Sequence, residues 1–260
     1  TSVAGLYFTS LWPALAKRAG RFTVLRSLHN RSTEHGVASR VMQTMKEDAR
    51  ATTPALGAVF QFQQNSELPL YAAVPRLADD SGALGSSCRS YPILGPLGKV
   101  NQSEVDASLK RMRLLTRLSS HQQRDSDATR TLRLQQKRTQ AVLESPRYRR
   151  LTTLTPGEEK IRLTYGDHTT GKHLFLARQA VAQGLRYVVV DVPGCDMHTD
   201  LEEECRTKMP LADQGIAALL DDLESTGLLK TTLVLVTTEF GRGPDISSDA
   251  KPGRGHWADA

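Results

Sequence analysis

The sequence predicts an α/β fold, in which a mostly parallel sheet is sandwiched by helices and a helical insertion occupies the middle of the chain. Two apolar runs carry this prediction, "RYVVVDV" at 186–192 and "TTLVLVTTE" at 231–239, which are short and rich in β-branched residues. Between them, residues 210–226 place apolar side chains at helical spacing. Strand, helix and strand in this order form a βαβ unit, and such continuously apolar strands suit a parallel sheet covered on both faces.

The other elements follow from turn residues and periodicity along the chain. Gly20, Gly184 and Gly227 each close a helical pattern, a common place for glycine. Clustered Gly, Ser and Pro residues predict a long loop over 76–104. Helices are predicted over 11–20, 54–63, 103–122, 126–144, 171–184 and 210–226, and a further strand over 22–28. We expect 103–145 to form a helical cap or hairpin within a single domain spanning 1–260.

Composition excludes some classes of protein. Hydrophobic residues make up 39% of the chain, and no apolar run approaches the ~20 residues that a membrane-spanning helix needs. The net charge of +6 is densest between Lys110 and Arg150, where no interleaved aromatic residues are available to stack on bases. The three cysteines lack the C-x-x-C spacing of a zinc ribbon. The chain is therefore expected to have no membrane span and no nucleic-acid partner.

Polar residues follow the predicted strands at the point where each strand ends. Histidines and an acid occupy 29–35, Asp196 and His198 follow the 186–192 run, and Glu239 and Arg242 follow the last run. In open α/β sheets, ligands bind beyond the carboxyl ends of the strands. Asp, Glu and His supply the oxygen and imidazole ligands that zinc or manganese accepts, so the sequence predicts that these groups meet in one cleft.

Three segments carry a resemblance to a known family. "GLRYVVVDVPGCDMHTD", "LADQGIAALLDDLESTGLLKTTLVLVTTEFGRGP" and "GRGHW" together resemble the exported sulfatase-like family catalogued as domain of unknown function 1501, in the alkaline phosphatase superfamily. Upstream, "LWPALAKRAGRFTVLRSLHNRSTEHG" resembles the family's early strand and its histidine-bearing turn. The resemblance implies an alkaline phosphatase-like fold and an exported or periplasmic location, although this chain shows no targeting segment.

The resemblance also implies a site. Asp196 and His198 match the family's first pair of metal ligands, Glu239 the acid after the next strand, and His256 the later histidine. The implied cofactor is a divalent metal such as zinc, manganese or calcium, which polarises a phosphate or sulfate ester. His35 lies where related sulfatases place their nucleophile, so it is expected to ligate metal, to act as nucleophile, or to cap the following helix.

Each of these residues also has a simpler interpretation. Asp196 and His198 form a structural turn in that view, Glu239 pairs with Arg242 or Arg254, and His256 is a packed side chain. Arg242 either binds a substrate anion or is structural.

Departures from the family pattern keep a second function open. Cys195 stands where the family has an aromatic residue, Gly255 replaces an Asp, and "QTMKED" replaces the L-T-G after the early histidine helix. The family's first strand and whatever follows Trp257 are also missing from the expected domain. The sequence therefore predicts either a metal-dependent hydrolase of anionic esters or a non-catalytic relative, a pseudoenzyme that serves as a scaffold subunit beside protein partners.

Overall fold

The computed structural model describes residues 1–66, 68–75, 77, 80–94, 102–120, 126–151, 153–248 and 250–258. These residues form two compact units. The first comprises 1–49, 159–178 and 192–260, and the second comprises 50–158 and 179–191. All the sequence-predicted site residues belong to the first unit.

Helices predominate over strands in the described residues. The α-helices are α1 (Pro13–Ala16), α2 (His35–Thr44), α3 (Leu56–Gln64), α4 (Gln102–Ser120), α5 (Asp127–Glu144), α6 (Pro146–Arg150), α7 (Pro156–Thr164), α8 (Thr169–Ala182) and α9 (Leu201–Ser225). The strands are β1 (Tyr71–Val74), β2 (Tyr91–Pro92), β3 (Tyr187–Val190), β4 (Gly241–Arg242) and β5 (His256–Trp257).

The second unit contains a small parallel sheet in the order β2-β1-β3. All four residues of the central strand, β1, are buried, and α3 packs against it. Gly57 of α3 faces the ring of Tyr71 so closely that a Cβ would overlap it, which lets the helix approach the strand. The side chain of Gln61 binds the backbone N–H of Leu70 at 2.6 Å and fixes the start of β1. The α/β class and the presence of a parallel sheet are thus confirmed, although this sheet has only three short strands.

Helix α9 is the central packing element of the first unit. Ile216, Leu219, Leu220 and Leu223 are all buried, as predicted for this face. Gly215 lies against α8, where a Cβ would meet Leu174 Cδ1 at 2.7 Å, so the two helices pack closely. Apolar burial of this kind is the main source of stability in the unit.

Buried acids on the same helix tie it to its neighbours. Both carboxylate oxygens of Asp213 accept hydrogen bonds of 2.8 Å from the backbone of Ala14 and Leu15, which satisfies the free N–H groups at the start of α1. Asp222 accepts the Tyr165 hydroxyl at 2.9 Å and Nη2 of Arg178 at 2.9 Å. Because these carboxylates are buried and bonded, α9 is held in one register against the unit.

Two predicted strands are wrong. Residues 22–28 and 231–239 form no strand, and their apolar side chains are largely exposed, 66% for Leu25 and 60% for Leu235. A run of β-branched residues becomes a strand only where another chain segment pairs with its backbone, and neither segment has a strand partner in the described residues. The predicted βαβ unit over 186–239 is therefore not formed; β3 pairs with β1 instead.

Several predicted boundaries also change. α9 begins at Leu201 rather than near 210, and Pro210 lies inside it. The sequence does not predict the short strand β1, since its four residues show too little periodicity. The predicted loop over 76–104 contains β2 and two 3-10 turns in its described part.

The middle helices α4 and α5 match the predicted pair and pack against each other. Arg113 of α4 reaches Glu144 at the end of α5 at 2.9 Å. Residues 121–122 of the predicted helix lie outside the described residues. Within the described part of the chain, no helix combines the length and apolar character needed to cross a membrane.

We expect Leu223→Ala to lower the free energy of unfolding by about 2–5 kcal/mol, because the side chain is fully buried and its loss leaves a cavity. Leu211→Ala on the exposed side of the same helix is the matched control, and its effect should be much smaller. Chemical denaturation measured by circular dichroism checks both variants. Equal losses in the two would contradict the assigned buried face of α9.

Candidate functional site

The loop before α9 presents Asp196 and His198 on the same side of the chain. Met197 between them is buried, and its sulfur lies 3.5 Å from Sγ of Cys205 on α9. With Met197 buried, the two exposed side chains on either side of it lie on the solvent side of the loop. This is why the D-x-H spacing delivers a carboxylate and an imidazole to one place.

A two-stranded antiparallel pairing brings Arg242 and His256 beside Asp196 and His198. β4 and β5 pair so that Arg242 lies directly opposite His256. Side chains opposite each other on paired strands are close neighbours. The backbone N–H of Gly243 extends the pairing with a 3.0 Å bond to the Gly255 carbonyl.

The segment before β5 also touches the D-x-H loop through its backbone. The N–H of Leu201 binds the Pro252 carbonyl at 2.9 Å. Gly253 lies directly against the His198 carbonyl, at a place where a Cβ would overlap it. A glycine is therefore required here for His256 and His198 to reach the same point.

His35 enters the site as the first residue of α2. Its ring does not cap the helix, since both of its nitrogens face carboxylates of other segments. Instead Nδ1 lies 2.7 Å from Oε1 of Glu239, and Nε2 lies 3.1 Å from Oδ2 of Asp196. The buried ring of Phe240 packs against both His35 and His256, with centroid distances of 4.9 and 4.4 Å.

The Asp196 carboxylate is the meeting point of the site. Its Oδ1 lies 2.9 Å from Nε2 of His198 and 3.1 Å from Nε2 of His256, and it also accepts a hydrogen bond from Nη2 of Arg242. Its Oδ2 faces His35. The two facing Nε2 atoms of His198 and His256 are 2.9 Å apart.

These contacts shift the pKa values of two groups. Desolvation would raise the pKa of Asp196, but its contacts with Arg242 and His256 outweigh it and hold that pKa well below its usual range. The hydrogen bond to Glu239 raises the pKa of His35, and the contact with Asp196 raises it further. Asp196 is therefore a carboxylate over the whole physiological pH range.

The structure brings together all six sequence-predicted site residues: His35, Asp196, His198, Glu239, Arg242 and His256. Two of the simpler interpretations are wrong, because Glu239 binds His35 rather than an arginine and His35 does not cap its helix. Arg242 does form an ion pair, but with Asp196.

Sequence reasoning missed the residues that hold these groups in place. The Thr33 carbonyl accepts a 2.8 Å hydrogen bond from Nδ1 of His256, and Asn30 donates to the Glu239 carbonyl at 3.0 Å. A backbone carbonyl leaves no signal in a sequence. The glycines of "PGRGHW" did offer one, since glycine often marks a close approach of two backbones.

Three donor atoms are suited to a single metal ion. His35, Asp196 and His256 each offer one ligand atom, and these atoms all lie within 4.8 Å of one another. Nε2 of His198 lies 2.9 Å from Oδ1 of Asp196 and 2.9 Å from Nε2 of His256. Asp196, His198 and His256 therefore form the tightest set of donor atoms.

The model of one protein family, described as "Protein of unknown function (DUF1501)", matches residues 1–260, which is the whole chain. The chain belongs to the DUF1501 family. No curated protein and no solved structure matches it.

Membership of the DUF1501 family confirms the family part of the resemblance and leaves the activity open. The six-residue cluster is thus a candidate site of a DUF1501 chain.

We expect Gly253→Ala to separate His198 from His256, because the added methyl group would push the two backbones apart. The stability loss should be about 1–3 kcal/mol, as for other overpacked positions. Nuclear Overhauser effects between the two imidazole rings are expected in the wild type, where the ring centroids are 4.6 Å apart, and should disappear in this variant.

Gly255→Ala is the matched control, since a Cβ at that position meets nothing within 4 Å. It should keep the ring-to-ring signals. Retention of those signals in Gly253→Ala as well would contradict the close approach seen here.

Proposed function

We propose that this DUF1501 chain is a metal-dependent hydrolase of phosphate or sulfate esters with an alkaline phosphatase-like fold. In this proposal Asp196, His198 and His256 hold one divalent ion, and zinc or manganese suits such a carboxylate and imidazole set. Glu239 is bonded to His35 at 2.7 Å, which gives it the role of orienting that ring.

The proposal depends above all on the orientation of His256. Its Nδ1 faces the carbonyl of Thr33, which can only accept, so the ring proton is on Nδ1. In the neutral ring Nε2 then carries a bare lone pair, and this lone pair points at Oδ1 of Asp196 from 3.1 Å. A lone pair facing a carboxylate oxygen needs a proton or a cation beside it, which a metal ion, a second ring proton or the Nε2–H of His198 at 2.9 Å can supply. An imidazole whose other N–H binds a backbone carbonyl is the usual state of a metal-ligating histidine.

The spacing of the donor atoms fits an ion of this size. Zinc bonds imidazole nitrogen at ~2.0–2.1 Å, so two ligands at a tetrahedral angle lie roughly 3.3 Å apart. The three donor pairs among Asp196, His198 and His256 lie at 2.9, 2.9 and 3.1 Å. An outward shift of roughly a few tenths of an ångström would accommodate the ion.

The remaining groups suit an anionic ester. A divalent ion bound here would polarise a phosphoryl or sulfuryl oxygen of the ester. The His35 side chain is 44% exposed, with both ring nitrogens held by carboxylates, and it faces the substrate in our proposal. Arg242 would bind a free oxygen of the ester through the part of its guanidinium not used by Asp196, since that group offers five donors.

Metal content of the purified full chain tests the proposal. After zinc loading and dialysis, wild type should retain stoichiometric zinc, and Asp196→Asn and His198→Ala should each lose it because each removes a ligand. The fold should persist, since both side chains are partly exposed. His29→Ala removes an exposed histidine outside the cluster and should retain zinc.

Hydrolysis of p-nitrophenyl phosphate and p-nitrocatechol sulfate then tests the reaction. Activity that needs zinc and is lost in Asp196→Asn supports the hydrolase. Unchanged zinc in both ligand variants would show that the ligands lie elsewhere.

One observation favours the second function, a non-catalytic scaffold. Nη2 of Arg242 binds the same Asp196 oxygen that the two histidines approach. A guanidinium can neutralise that carboxylate without any metal. In this alternative the cluster is a structural ion-pair network and the chain serves as a subunit beside protein partners.

Arg242→Ala separates the two functions. Loss of the guanidinium leaves Asp196 without its cation, so the thermal unfolding midpoint should fall. If the site binds metal, added zinc should raise the midpoint again, because a ligand that binds only the folded state stabilises it. A midpoint that does not respond to zinc in this variant or in wild type supports the scaffold.

A further inference from the structure

Asn30 is a buried polar residue beside the site, with 8% of its surface exposed. Its side-chain Nδ2 donates to the Glu239 carbonyl at 3.0 Å and, more weakly, to the Ala38 carbonyl at 3.4 Å. Its backbone N–H donates to the Ala258 carbonyl at 3.0 Å, and its Oδ1 accepts from the N–H of Ser32 at 3.2 Å. All its bonds go to the main chain, so it touches no reacting group.

Each of these bonds reaches a segment that carries a site residue. The Glu239 carbonyl belongs to a site residue itself. Ala38 is in the first turn of α2, whose first residue is His35. Ala258 lies two residues after His256. A single asparagine therefore fixes the mutual position of three segments that are far apart in sequence.

The bond to Ser32 adds a further constraint. It closes a turn over residues 30–32, and the next residue, Thr33, presents its carbonyl to Nδ1 of His256 at 2.8 Å. That carbonyl sets the ring proton of His256 on Nδ1 and directs Nε2 toward Asp196. The shape of the turn therefore decides which nitrogen of His256 faces the carboxylate.

We propose that Asn30 is the positioning residue of this site, which holds His35, Glu239 and His256 in register and selects the His256 tautomer that leaves Nε2 free for a cation. The expected effect of Asn30 on metal affinity rests on the proposed metal-dependent function. The inference does not extend to Asp196 and His198, whose segment makes no hydrogen bond to Asn30 among the described residues and is held by the Gly253 contact.

Among side chains of this length, only asparagine satisfies this set of partners. Two carbonyl oxygens need donors and one N–H needs an acceptor, and a side-chain amide provides both. Asn30→Asp keeps the volume and the acceptor for Ser32, but sets a carboxylate oxygen against two carbonyls. Asn30→Ala removes both functions and leaves the buried backbone groups without partners.

The matched control is Gln61, a buried amide of the second unit with the same kind of partners. Its Nε2 donates to the carbonyls of Ser66 and Leu68 at 3.2 and 3.4 Å, and its Oε1 accepts from Leu70 at 2.6 Å. Gln61→Ala should therefore cost comparable stability and leave the site unchanged.

The first measurement is the zinc affinity of the full chain by titration calorimetry, with thermal unfolding recorded for each variant. Asn30→Ala and Asn30→Asp should weaken zinc binding by ~10–100-fold, the effect usual for residues that orient metal ligands. Gln61→Ala should keep the wild-type affinity although its unfolding midpoint falls.

The second measurement needs no metal. Long-range proton–nitrogen NMR spectra of the metal-free chain report the tautomer of each histidine. In wild type and Gln61→Ala, His256 should carry its proton on Nδ1, whereas both Asn30 variants should show a mixture of tautomers. If wild type binds no zinc, the proposed function fails, and the tautomer spectra still decide the role of Asn30.

Two results would overturn the inference. One is a His256 tautomer in both Asn30 variants that matches the tautomer in Gln61→Ala. The other is loss of the folded state in both Asn30 variants while Gln61→Ala stays folded, because Asn30 would then be needed for the fold as a whole.

Discussion

The Asp196 carboxylate is the constraint on which the arrangement of this site depends. It is charged, and its two oxygens are shared by three histidines and an arginine. A carboxylate among cations and N–H groups is stabilised by charge-assisted hydrogen bonds, which are stronger than neutral ones. Four segments of the first unit therefore converge on one side chain, and each arrives from a different place in the sequence.

Main-chain contacts make that convergence possible. The D-x-H loop is held by backbone bonds to Pro252 and by the absence of a side chain at Gly253. His256 is held on one side by the Thr33 carbonyl and on the other by its strand pairing with Arg242. Such contacts fix the orientation of the site side chains and leave their imidazole and carboxylate atoms free for chemistry. Residues that orient metal ligands act in this way.

The site and the most buried part of the first unit are built from different kinds of side chain. Stability comes from the apolar face of α9 and from its buried acids Asp213 and Asp222. The cluster around Asp196 is partly exposed and made of charged groups, which contribute little to stability when water screens them. A protein can therefore lose catalysis at such a site and keep its fold, and this is the physical reason that a hydrolase and a scaffold remain the two functions to distinguish.

The sequence alone determined the α/β class, most helices and the identity of the clustered residues. The buried face of α9 follows from 3.6-residue spacing, and the D-x-H pair follows from its place directly after the apolar run 186–192, both of which are local properties. The pairing of β3 with β1, the failure of 22–28 and 231–239 to form strands, and the roles of Asn30 and Thr33 were decided by tertiary structure. Strand pairing and backbone hydrogen bonds join segments distant in sequence, and apolar runs do not reveal which partner they will meet.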